Sequence, residues 1–69
     1  MNRTIVLPAN VLDTLRALPY DERVAVASAL AGDVLLGLET HEGLAPVEDM
    51  IYSILRFYVR QASERYAAR

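Results

Sequence analysis

The segment "PVEDMIYSILRFYVRQASERY", from Pro46 to Tyr66, constrains this chain more than any other part of it. A proline at the first position with Glu48 and Asp49 just behind it marks the start of a helix. At about 100° per residue, Val47, Met50, Ile51, Tyr52, Ile54, Leu55, Phe57, Tyr58, Val59, Ala62 and Tyr66 spread over roughly 220° of arc. Glu48, Gln61 and Arg65 intrude on that arc only near the helix ends. Asp49, Ser53, Arg56, Arg60, Ser63 and Glu64 share the remaining strip. A surface helix of a globular protein needs an apolar stripe of only about 100°. Two short neighbouring helices can cover one such stripe, not two. The pattern predicts that one side packs on the rest of the chain and the other meets a second copy. The seam of that homodimer is expected at Ile51, Ile54, Leu55, Tyr58 and Ala62.

Size points the same way. Sixty-nine residues make one domain near the lower limit of unaided folding. With no cysteine, neither disulfides nor thiolate metal sites can supplement the core, and a reducing, cytoplasmic setting is expected. Apolar residues make up 54% of the chain, and self-association is a common supplement to a small core. The N-terminus lacks the basic region and long apolar run of a signal peptide. The most apolar stretch, "VAVASALAGDVLLGL" (24–38), carries Asp33 and falls short of the about 20 residues of a membrane span, so it reads as a buried helix.

Upstream, "RTIVL" (3–7) is β-branched and extended in character, and Pro8 stops it. Asn10 is the expected N-cap of a first helix, with Asp13 at its third position and Val11, Leu12, Leu15 and Leu18 on one face. Pro19 separates this helix from the next, whose first turn holds Asp21 and Glu22. Tyr20, Val24, Ala27, Ala31, Val34, Leu35 and Leu38 form the expected stripe of the second helix. Ala25, Ala29 and Gly32 leave its other side small enough for close backbone approach. "ETHEGLA" (39–45) is a loop. The expected fold is all-α: a three-helix protomer with a short extended N-terminal lead-in, dimerising through the long C-terminal helix.

Charge is unevenly spread around the net value of -2. Between positions 13 and 49, eight carboxylates face only Arg16 and Arg23, a balance of -6. From position 50 onward, Arg56, Arg60, Arg65 and Arg69 face Glu64, a balance of +3. An acidic body suits a basic protein partner better than a phosphate backbone. No catalytic constellation stands out, so no enzyme activity, cofactor or metal is expected. His41 stands beside Glu39 and Glu42 without metal-ligand spacing. Ser28, Ser53 and Ser63 have no histidine placed to activate them. The glycines are isolated, unlike a phosphate-binding loop. A second reading is a ribbon-helix-helix DNA binder, because "RTIVLP" precedes two helices. It would point Asn2, Thr4 and Val6 at bases, yet Val6 offers no polar group and the following helices are acidic where phosphates would lie.

The combination "LPYDERVAVASALAGDVLLGLE", a short loop and "YSILRFYVRQASERYAA" resembles the small helical host-takeover proteins of phages, among them the quorum-sensing anti-activators of Pseudomonas phages. The resemblance spans nearly the whole chain and rests on a leucine-proline helix start, helix lengths and an aromatic last helix. It implies a dimeric inhibitor made early in infection. Such an inhibitor acts in the host cytoplasm on the DNA-binding domain of a LuxR-type transcription activator. It also implies a second target, the type IV pilus assembly ATPase. Tyr52, Arg56, Phe57 and Arg60 are the expected partner-binding residues, because aromatic and arginine side chains dominate interface energetics.

Overall fold

Three prolines divide the chain, and a helix begins at or beside each one. The computed structural model describes residues 5–38 and 42–68, and contains α1 (Ala9–Ala17), α2 (Tyr20–Leu36) and α3 (Pro46–Ala67). Among the described residues there is no strand, so the fold is all-α with three helices. No helix among them is long and apolar enough to cross a membrane. Asn2, Thr4, Glu39 and His41 lie outside the described residues.

The start of α1 differs from expectation. Pro8, at φ -61° and ψ 152°, is the half-in residue, and its carbonyl accepts from the Val11 amide at 3.0 Å and the Leu12 amide at 3.3 Å. Asn10 therefore falls inside the first turn rather than capping it. Proline holds the position because its fixed φ suits a helix entrance and it has no N–H to leave unbonded. At the other end, Arg23 of α2 reaches back to carbonyls of the last turn of α1 and of its C-cap Leu18, where the helix ladder runs out. Its Nε donates to Leu15 O at 3.0 Å, and its Nη2 to Arg16 O at 3.2 Å and Leu18 O at 2.8 Å. A cation at a helix C-terminus also complements the helix dipole.

α2 ends at Leu36, two residues before the end of its expected apolar stripe. Gly37 adopts a left-handed conformation (φ 69°), which lets its amide bond Asp33 O at 3.0 Å while the Leu38 amide reaches Gly32 O at 3.1 Å. α3 begins at Pro46 as expected, with Glu48 Oε1 accepting the Ala45 amide at 3.0 Å. Its 22 residues span about 33 Å at about 1.5 Å per residue.

The core is a single cluster of Val11 from α1, Val26, Ala29 and Leu30 from α2, and Tyr52, Leu55 and Val59 from α3. Ile5, Leu15, Leu18, Val34, Leu44 and Ile51 pack around it. The face that α2 turns inward is Val26, Ala29, Leu30 and Asp33, a spacing of three, four and seven residues. This corrects the expected stripe: Tyr20, Val24, Ala31, Leu35 and Leu38 are exposed. Of the predicted small face, Ala29 is buried in the core. The inward phase is set by Asp33, whose partners lie on α3.

Candidate functional surfaces

Position 33 is a buried carboxylate between two arginines. Arg56 Nε donates to Asp33 Oδ2 at 3.1 Å, and Arg60 Nη2 donates to Asp33 Oδ1 at 3.1 Å. Four residues apart, the two arginines lie one helical turn from each other and can share one carboxylate on the neighbouring helix. The Asp33 side chain is 1% exposed, that of Arg56 26% and that of Arg60 56%. Burying a carboxylate is strongly unfavourable unless charged donors meet it, so this cluster fixes how α2 rotates against α3. Two residues expected to meet a partner are thereby engaged within the chain. Asp33, the residue that engages them, was not anticipated. The signal for it was an acid alone in an apolar stretch with two arginines four residues apart elsewhere.

The 220° arc of α3 resolves into two faces. Tyr52, Leu55 and Val59 point into the protomer core, with Tyr52 1% and Leu55 2% exposed. Tyr52 is therefore no partner-binding residue and Leu55 no seam residue, because the protomer itself already encloses both. Ile51 and Ala62 are half-buried, Ile51 against the core cluster. The opposite face exposes Val47, Met50, Ile54, Phe57 and Tyr58. Phe57, expected to touch a partner, belongs with Ile54 and Tyr58 on this outward stripe. Its ring meets that of Tyr58 edge-on, with centroids 5.9 Å apart and planes at 67°. Such a pair prefers this geometry and holds both rings ready for contact.

A second apolar surface lies on the other side of α2. Ile5 and Leu7 of the lead-in, Leu12 and Leu15 of α1, and Ala31 and Leu35 of α2 are among the residues that wall an open groove of about 360 Å³. All nine of its lining side chains are hydrocarbon. The exposed stripe that the sequence assigned to the core supplies part of its wall. The lead-in keeps its place through the Val6 amide, which donates to Ser63 Oγ of α3 at 3.0 Å. A ribbon-helix-helix strand needs its backbone groups for a twin strand, and here one of them is already given to α3. Ile5 to Pro8 have no regular secondary structure.

Among the described residues, no group of three or more His, Asp or Glu side chains is placed to hold a metal ion. No protein-family model matches the chain, and comparison with curated proteins and with solved structures finds no relative.

Proposed function

We propose that the protein is a non-enzymatic inhibitor acting by stoichiometric binding to a host protein. Two separate apolar surfaces on one small domain carry this reading: the outward stripe of α3 and the groove between the lead-in, α1 and α2. One surface serves a second copy and the other a target. The stripe is the better seam, because five side chains about half exposed present on the order of 500 Å² of apolar surface, most of the about 800 Å² per partner of a standard interface. A homodimer closed through α3 leaves both grooves open.

The resemblance to phage host-takeover proteins suggests as target the DNA-binding domain of a LuxR-type quorum-sensing activator in the host cytoplasm. The same resemblance suggests the type IV pilus assembly ATPase as a further one. The exposed carboxylates of Asp13, Asp21 and Glu42 favour the first, since a DNA-binding domain carries a basic face.

The test uses a purified activator DNA-binding domain and its operator fragment in a mobility-shift assay. Addition of the protein should abolish the shifted band near one dimer per activator dimer, with no band for the protein on DNA. A shift produced by the protein alone, lost steeply as salt rises, would overturn this reading in favour of a ribbon-helix-helix DNA binder.

A further inference from the structure

We infer that the apolar groove receives one amphipathic helix of about four turns, laid along α2 and carrying basic residues on the flank that meets Asp21. This rests on the two-surface reading above and gives its target site an occupant.

The groove is the middle of a longer row. Tyr20, Val24, Ala27, Ala31 and Leu35 follow one another along α2 within about 80° of arc, a row about 23 Å long at about 1.5 Å per residue. Tyr20, Val24, Ala31 and Leu35 are exposed and Ala27 is half-buried, so the described part of the protomer leaves the row open. At Ala27 and Ala31 the floor is a pair of methyl groups, low enough for another backbone to come close. Leu12 and Leu15 of α1 and Leu7 of the lead-in raise the wall beside it.

The lining decides what kind of chain fits. All of its side chains are hydrocarbon, so an extended segment in the groove would leave amides and carbonyls without partners, at about 1–3 kcal/mol for each buried group. A helix bonds its own backbone and offers only the side chains of one face, three and four residues apart. An alkyl ligand would fill the groove and leave Val24 and the largely exposed Tyr20 bare. Leu7, Tyr20, Val24 and Leu35 present on the order of 400 Å² of apolar surface, about half of what each partner gives to a standard interface. That is less than the outward stripe of α3 offers, so the second copy takes the stripe and the row suits a single helix.

Asp21 sets the charge of the occupant. It is exposed on the flank of the row, about 100° round from Tyr20. The arginines of α1 and α2 are engaged elsewhere: Arg16 lies 3.6 Å from Asp13, and Arg23 gives its donors to carbonyls at the end of α1. A cation on the incoming helix is the complement that Asp21 lacks within these two helices.

Two labelled four-turn helical peptides probe the site, each with leucines three and four residues apart on one face. One carries arginines on its flanks and the other glutamates, and fluorescence anisotropy reads their binding to the full chain. The arginine peptide should bind at least about threefold more tightly than the glutamate peptide, and Asp21→Asn should remove the preference. Ala31→Arg and Leu35→Glu, both at exposed helix positions, should keep the helical spectrum and weaken the arginine peptide at least about tenfold. Ile54→Asp on α3 should leave its affinity in place. No binding of either peptide, or binding lost in Ile54→Asp but kept in Ala31→Arg, would overturn the site. Equal affinity for the two peptides would overturn the basic character of the partner. A wild-type mass above two chains that falls in Ala31→Arg would overturn the inference by giving the row to a further copy. Neither peptide involves the activator, so the mobility-shift assay judges the inhibitor reading separately.

Discussion

Arg56 and Asp33 meet across the α2–α3 interface, 23 residues apart, with the arginine Nε donating to a carboxylate oxygen that has almost no access to water. The pair ties the rotation of α2 to that of α3 and turns an acid into a core residue. It leaves the two arginines unequal, since Arg56 is half as exposed as Arg60.

Removing the better-buried partner should therefore hurt more. Arg56→Ala leaves the Asp33 carboxylate with Arg60 alone and should lower unfolding stability by about 2–3 kcal/mol. Arg60→Ala, whose partnership is screened by solvent, should cost less than about 1 kcal/mol. Urea unfolding monitored by helical circular dichroism measures both. Equal losses would mean that Asp33 depends on the two arginines alike and that burial does not rank them.

The two faces of α3 should separate stability from association. Leu55→Ala opens a cavity in the protomer core and should cost about 2–4 kcal/mol in urea unfolding. Ile54→Asp places a charge on the outward stripe, and should shift the mass by light scattering from dimer to single chain while retaining the helical spectrum. Tyr58→Asp should behave in the same way.

Much of this architecture is legible in the sequence, and its failures share a cause. α3 starts at the expected residue, because a proline followed by two acids is a local signal that no packing overrides. The rotation of α2 is not legible, because α2 is apolar almost all round and periodicity cannot choose a face. What chooses is Asp33, through partners 23 and 27 residues further along the chain. Nor does the width of the apolar arc on α3 say which part is core. Tyr52 and Leu55 turn inward because Val26, Ala29 and Leu30 are there to receive them.

Gly37 offers a test of backbone geometry free of packing. A Cβ built there meets nothing within 4 Å, so the whole cost of Gly37→Ala is the left-handed conformation at φ 69°. The expected loss is about 1–2 kcal/mol, and Gly37→Asn should lose clearly less. Thermal or urea unfolding of the two variants side by side decides it; equal losses would assign the cost to something other than φ.

The tether of the lead-in can be cut with one atom. Ser63→Ala removes the acceptor of the Val6 amide, and hydrogen exchange at Val6 should speed up by about tenfold, the equivalent of a net hydrogen bond of about 1 kcal/mol. Exchange in the middle of α3 should stay unchanged. Unaltered protection of Val6 would show that Ile5 and Leu7 hold the segment by packing alone.

The Arg23 cap carries a consequence for the order in which the chain can come apart. A helix of nine residues has little persistence in water. The guanidinium that closes the C-terminal end of α1 belongs to the next helix, so α1 is helical only while α2 is in place. Heat or denaturant that loosens the first turn of α2 should dissolve the amino-terminal helix at once, and the reverse does not hold.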